Sequence, residues 1–369
     1  MKITDVKVWL VQGIKYNWTL LKIYTDEGYT GVGEATNWPG SPIVYEAAKH
    51  IGSRIIGLDP MKTDCAISGI DMALLDLKGK VLGVPCYELL GGAYRKDILL
   101  YANYWFTKGG HNEADYAEQA RAVKAAGFTG LKFDPFAHTN YFYGEDLASN
   151  LTLTPAQQDL AFNVSKAVRE AVGPEVDIMI ETHAMLNYRI AVKMAERLAT
   201  LDIAWYEEPA GPESSQTLRA MRERIPSDVA ICVGERHYTR FGIRSLLEKH
   251  VCDIIMPDIT RCGGPSEMKR MATMAEAYQV LLAPHNPNGP LSTLASSHVC
   301  ASVPNFFRQE FMFNDVPWRD TVIDHPIAEM VYDGHLHLSD RPGLGVDLVE
   351  EEMKKHPGIT TDAPDNFYI

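Results

Sequence analysis

Apolar and polar residues alternate along Met1-Lys2-Ile3-Thr4-Asp5-Val6-Lys7-Val8, the period of two that sends successive side chains to opposite faces of a strand. Residues 2–12 and 18–35 carry this pattern, the second stretch turning at Asp26-Glu27-Gly28, and both predict strands. Near 42–56 and 65–83 the apolar positions recur at helical spacing instead. These elements predict a small α+β domain over residues 1–95, closed by Leu89-Leu90-Gly91-Gly92 and ending at a boundary near 92–97.

Beyond that boundary, short apolar runs alternate with amphipathic, helix-length segments. The runs are Ile98–Trp105, Gly130–Asp134, Val176–His183, Ala204–Glu208, Val229–Glu235, Cys252–Asp258, Val280–His285 and Phe306–Phe311. Strand-helix alternation of this kind predicts an α/β barrel of the (β/α)8 type over residues 96–325. A doubly wound open sheet would show the same alternation, but no G-x-G-x-x-G follows a strand, and that fold stands second. Residues 326–369 include the alternating Asp333-Gly334-His335-Leu336-His337-Leu338 and are expected to pack back on the first domain and complete it.

Acidic residues outnumber basic ones 48 to 35 for a net charge of −13, and no Lys/Arg cluster forms a phosphate-binding stripe, which excludes nucleic acid as the expected partner. Such a field repels anions, so a carboxylate substrate would need a local reversal, as a bound divalent cation supplies. The cysteines Cys65, Cys86, Cys232, Cys252, Cys262 and Cys300 show no C-x-x-C spacing and are expected reduced. With no signal-like N-terminus and no long apolar run, the expectation is a cytoplasmic protein without membrane contact.

The chemistry concentrates at the predicted strand ends. Asp134, Glu181, His183, Glu207, Glu235, Asp258, His285 and Glu310 each stand at the C-terminal end of a run, and in a barrel those ends converge on one face. Glu181, Glu207 and Glu235 lie 26 and 28 residues apart, about one β-α unit each, and would ring one point. A cluster of hard oxygen ligands calls for Mg²⁺ or Mn²⁺. Each Glu alone would be read as a helix cap or a solvated loop residue; three in register are not. In Glu207-Glu208-Pro209 alternation divides the two side chains, and Glu207 is taken as the ligand.

Asp258 and His285 end neighbouring strands, where an Asp–His pair would make a general base; the plainer alternative is that His285 braces the loop Pro284-His285-Asn286-Pro287-Asn288-Gly289-Pro290. By the period of two, His183 shares the face of Glu181, within reach of Asp134 on the preceding strand, whose own face carries Lys132.

These residues resemble the enolase superfamily and, within it, the mandelate racemase-like acid-sugar dehydratases. The resemblance runs through Gly33-Glu34-Ala35, Ala66-Ile67-Ser68-Gly69-Ile70-Asp71, Leu89-Leu90-Gly91-Gly92, Trp205-Tyr206-Glu207-Glu208-Pro209, Gly234-Glu235, Met256-Pro257-Asp258, Pro284-His285-Asn286-Pro287, Gln309-Glu310 and Pro342-Gly343-Leu344-Gly345. It implies a modified (β/α)7β barrel under a capping domain, Mg²⁺ on Glu181, Glu207 and Glu235, and a His285–Asp258 dyad. It also implies that Glu310, protonated, donates to an enediolate, and that the protein is a homo-oligomer of unspecified size.

Departures from the family pattern narrow the class. Racemases carry Lys-x-Lys on the second barrel strand, whereas this chain has Lys132-Phe133-Asp134. Sugar-acid dehydratases often place a His two residues after the first metal ligand, as His183 stands here, which makes it the candidate acid for a departing β-hydroxyl. The first ligand is Glu181 where relatives more often carry Asp. The connection from Leu58-Asp59-Pro60 to Ala66-Ile67-Ser68 is shorter than usual in the family, which implies either a reduced cap or residues absent from this sequence.

Dehydration of an aldonate such as gluconate, galactonate or arabinonate is therefore expected, with Lys132 adding positive charge beside the cation. Tyr16, Trp18, Asn37, Trp38, Asn103 and Tyr104 are expected at the substrate rim by position. The alternatives are a racemase, epimerase or cycloisomerase on the same metal site, and a non-catalytic barrel.

Overall fold

The computed structural model describes residues 1–14, 17–37, 41–63, 67–107, 112–136 and 152–359. The N-terminal pattern folds as read: β1 (Ile3–Val11), β2 (Trp18–Thr25) and β3 (Thr30–Glu34) form an antiparallel sheet in that order. Helices α1 (Ser41–Ile55) and α2 (Ser68–Leu82) cover it, and α2 is buried over most of its surface because it also meets the barrel. A short α3 (Cys86–Leu89) leads out of this cap.

The barrel follows as β4 (Asp97–Asn103), α4 (Glu113–Ala125), β5 (Gly130–Phe133), α5 (Pro155–Val172), β6 (Asp177–Glu181), α6 (Tyr188–Ala199), β7 (Trp205–Glu207) and α7 (Ser215–Arg222). It continues through β8 (Ile231–Val233), α8 (Thr239–Glu248), β9 (Ile254–Ile255), α9 (Gly264–Glu276), β10 (Leu281–Leu282), α10 (Pro290–Ala301) and β11 (Gln309–Met312). Helix starts obey local capping chemistry: Asn112 and Asn187 cap α4 and α6, and Thr154 with Gln157 makes a capping box ahead of Pro155.

Neighbouring strands from β4 to β10 pair in chain order and in parallel. β11 pairs in parallel with β4, and Leu282 bridges to Phe306 just ahead of β11, so the sheet closes on itself. Each strand from β4 to β10 is followed by a helix; β11 leads into a 3-10 turn at Pro317–Arg319, giving the (β/α)7β form. Tyr101, Met179, Trp205, Cys232, Ile254, Met256 and Ala283 fill the barrel interior as a buried layer.

The tail begins as a hairpin, β12 (Val331–Tyr332) and β13 (His335–His337), and β13 lies antiparallel on the first half of β4. The alternation at 333–338 is thus a strand that serves the barrel before the chain turns to the cap. Residues beyond it run along the cap, with Leu344 N–H donating to Asp76 Oδ1 at 2.7 Å, Lys22 paired to Asp347 at 2.7 Å and Gly358 N–H donating to Leu10 O at 2.8 Å. A short α11 (Glu350–Met353) lies in this stretch.

Cys86, Cys232, Cys252, Cys262 and Cys300 are buried free thiols; Cys65 lies outside the described residues, as does part of the short connection at 64–66. Among the described residues no helix is long and apolar enough to cross a membrane.

Candidate active site

Because the barrel strands are parallel, their C-terminal ends open on one face. Glu181 and Glu207 are the last residues of β6 and β7, and Glu235 follows β8 by two positions. One carboxylate oxygen from each falls within 4.8 Å of the others, and all three side chains are buried.

Three buried carboxylates this close cannot all keep their charge unaided. Burial would raise Glu181, but His183, a hydrogen bond with Glu207 and Lys132 outweigh it and bring its pKa down to about 2. Glu207 moves the opposite way, raised by burial and by the charge of Glu181 despite Lys132. Glu235 is lowered in spite of its burial by His285 and Arg236. The cluster is balanced by borrowed protons and cations: Lys132 Nζ lies 2.6 Å from Glu207 and 3.5 Å from Glu181, and Arg236 Nε lies 3.2 Å from Glu235. A divalent cation satisfies the same charge directly, and the trio fits one.

One Asp–His pair sits on the β9–β10 side. His285 Nδ1 is 2.8 Å from Asp258 Oδ2, and its Nε2 is 3.0 Å from Glu235 Oε2. Burial works against a charged imidazole, but Glu235, Glu310 and Asp258 together push His285 up to about 9. Asp258 is held by Thr260 N–H at 2.8 Å and by Asn288 Nδ2 at 3.1 and 3.0 Å from its two oxygens.

A second pair sits on the β5–β6 side, where His183 Nδ1 lies 2.8 Å from Asp134 Oδ2. The route to it differs from the expected strand alternation. β6 stops at Glu181, and His183 and Ala184 take left-handed backbone conformations, φ 50° and 59°. That turn brings His183 N–H onto Glu181 Oε1 at 2.6 Å, so carboxylate and imidazole are joined by a turn that is costly for non-glycine residues.

Glu310 ends up among donors: Asn103 Nδ2 and Asn286 N–H each approach at 2.5 Å, and Lys132 Nζ at 3.1 Å. Asn103 is half-buried at the end of β4 and donates to Glu310. Trp18, also expected at the rim, is 2% exposed and packs in the main core. Tyr104 follows Asn103 at the end of β4 with φ 63°, and Asn37 is half-buried where the cap chain leaves Thr36. Tyr16 and Trp38 lie outside the described residues.

Four participants escape the strand-end pattern. Arg236, Asn288 and Glu34 lie in loops or in the cap, and Glu208 is the second residue of its Glu pair. Glu208 is fully buried, takes φ 44°, accepts Gly234 N–H at 2.9 Å, and is pushed up to about 8 by burial and Glu235. Its contact steers Gly234 and hence Glu235, and Glu207 remains the member of the trio.

A closed (β/α)7β barrel with a buried carboxylate trio at its C-terminal face, under an α+β cap, defines an enolase-like metal-binding barrel. Residues 115–352 match the enolase C-terminal domain-like family, and residues 11–91 match the mandelate racemase / muconate lactonizing enzyme N-terminal domain. The chain belongs to this family, as its motifs implied. It is similar to the D-xylonate dehydratase of Haloferax volcanii, 31% identical over 96% of this chain and 89% of that protein. It is also similar to the D-gluconate dehydratase of Thermoproteus tenax, 30% identical over 94% and 71%. A solved structure of an enolase superfamily member from Salmonella Typhimurium is 32% identical, covers 97% of this chain and 99% of its own, and superposes with a TM-score of 0.88.

Proposed function

We propose that the protein is a Mg²⁺-dependent sugar-acid dehydratase that converts an aldonate of the gluconate, galactonate or xylonate kind to a 2-keto-3-deoxy acid. The observation that carries the reading is the pair of Asp–His dyads on opposite sides of the trio. In the closed order β4 to β11, β6 and β10 are four places apart in a ring of eight, so His183 and His285 face each other across the barrel mouth. Anti elimination of water needs a base on one face of the substrate and an acid on the other. The xylonate and gluconate dehydratases among its relatives support the substrate class.

A bound Mg²⁺ would supply the positive charge that makes an α-proton beside a carboxylate removable. Lys132, at the centre of Glu181, Glu207 and Glu310, adds fixed positive charge at the same point. His285 takes the α-proton on Nε2, while Asp258 holds Nδ1 and steadies the imidazolium. For this Nε2 must leave Glu235, whose oxygen would go to a bound cation. With Nδ1 on Asp134, His183 works through Nε2 and passes a proton to the β-hydroxyl, which departs as water. The resulting enol tautomerises to the 2-keto-3-deoxy acid. Glu310 holds Lys132 and the backbone beside His285.

The test is a stereochemically complete aldonate panel with Mg²⁺, keto-acid detection and EDTA as control. His285→Asn should lose both dehydration and α-proton exchange, while His183→Asn should keep exchange and lose dehydration. Full dehydration by His183→Asn would remove the acid from this mechanism. Solvent deuterium at the α-carbon of unreacted substrate, with no water lost by the wild type, would mark an epimerase that uses both dyads as bases.

A further inference from the structure

Glu34 ends β3 in the cap, yet its fully buried carboxylate bonds to the barrel. It accepts the backbone N–H of Gly289 at 2.7 Å and of Ser292 at 2.9 Å. Gly289 is the N-cap residue of α10 and Ser292 its third residue, and Pro290 between them has no N–H. A helix start needs acceptors for its orphan donors, usually from the N-cap side chain. Gly289 has none, so the acceptor arrives from the other domain. A Cβ on Gly289 would stand 2.9 Å from both Glu34 oxygens and would push that carboxylate aside.

This helix start is tied to the His285–Asp258 pair. Ser292 Oγ donates to Asn286 Oδ1 at 2.7 Å, and Asn286 adjoins His285. Asn288, one residue before Gly289, holds both oxygens of Asp258. Two residues beyond Glu34, the Thr36 carbonyl accepts from Thr260 Oγ1 at 2.6 Å, and Thr260 N–H holds Asp258. One three-residue segment of the cap therefore grips both loops that carry the dyad.

We propose that Glu34 is a positioning residue: by capping α10 from the other domain, it sets the geometry of His285 against Asp258 and makes proton abstraction depend on cap docking. The kinetic part rests on the functional reading above. Glu34→Gln keeps the volume but turns an amide NH₂ toward an N–H donor, and Gly289→Ala pushes on the same carboxylate without changing it.

On the full chain with Mg²⁺ and an aldonate that the wild type turns over, both variants should lose kcat, up to about 10²-fold, with KM near wild type. Exchange and dehydration should fall in parallel, since His183 is untouched, and Mg²⁺ should still raise the melting temperature. Backbone amide exchange needs no substrate and separates this inference from the functional one. Loss of protection spreading from Gly289 and Ser292 to Asn286 and Thr260 supports it even if no aldonate reacts. Loss confined to Gly289 and Ser292, or a lowered melting temperature with wild-type kcat, overturns it.

Discussion

His285 Nε2 lies 3.0 Å from Glu235 Oε2, so the ring proposed as the base is held by one of the carboxylates that would ligate the cation. Against its burial, Glu235, Glu310 and Asp258 push His285 from an ordinary 6.5 up to about 9. At neutral pH the metal-free ring is an imidazolium. Committing Glu235 to a cation removes its strongest stabilising neighbour and lowers the pKa again. Cation binding near pH 7.5 should therefore release protons, and affinity should rise with pH up to about 9. Calorimetry in buffers of different ionisation heat measures the release; His285→Asn should release fewer protons, and buffer-independent heats would contradict the coupling.

The trio itself is tested by stability. Saturating Mg²⁺, at about 100 times its dissociation constant, should stabilise the native protein by roughly 2.7 kcal/mol through mass action. Glu235→Gln and Glu181→Gln should melt without a Mg²⁺ response. A variant that keeps the full shift would remove its residue from the ligand set.

Asp134 fixes which nitrogen His183 presents. Asp134→Asn should leave α-proton exchange in place and slow dehydration by about 10²–10⁴-fold, the usual worth of a positioned acid. Deuterium incorporation and keto-acid release measured in the same reaction give the two rates. Equal losses in both would make Asp134 a structural residue.

Burial pushes Glu34 from 4.5 up to about 7, against hydrogen bonds from Thr36, Ser292 and Gly289. A carboxyl whose folded pKa is raised contributes stability that is complete below 4.5 and lost as pH rises through 7. Between pH 4.5 and 8 the wild type should lose on the order of 3 kcal/mol relative to Glu34→Gln. Denaturant titrations of both proteins across that window read the difference directly.

Trp18 is core rather than rim. Trp18→Ala should destabilise by about 3–5 kcal/mol, and Trp18→Phe should cost less and leave KM for the substrate unchanged. A large KM effect from Trp18→Phe would return it to the substrate site.

Much of the catalytic face was legible because a parallel barrel converts a one-dimensional regularity into a three-dimensional one. A polar residue closing each apolar run, spaced by one β-α unit, must arrive at the same rim. Glu181, Glu207 and Glu235 meet for that reason, and Asp258 and His285 meet because their strands are neighbours. Strand alternation stops applying where the strands stop: a left-handed turn after β6, and not the period of two, carries His183 to Glu181 and Asp134.

The amino-acid sequence determined the order of elements, the barrel, the carboxylate trio and both Asp–His pairs, because hydrophobic period and residue spacing are local and repeat with each unit. Tertiary structure alone decided who holds those groups in place. Glu34 caps α10 from a distance of 255 and 258 residues, β13 takes the edge of β4, and Glu310 gathers Asn103, Asn286 and Lys132. Those partners meet through long-range packing of cap, barrel and tail, and no local pattern in a single chain specifies which distant backbone N–H a buried carboxylate will satisfy.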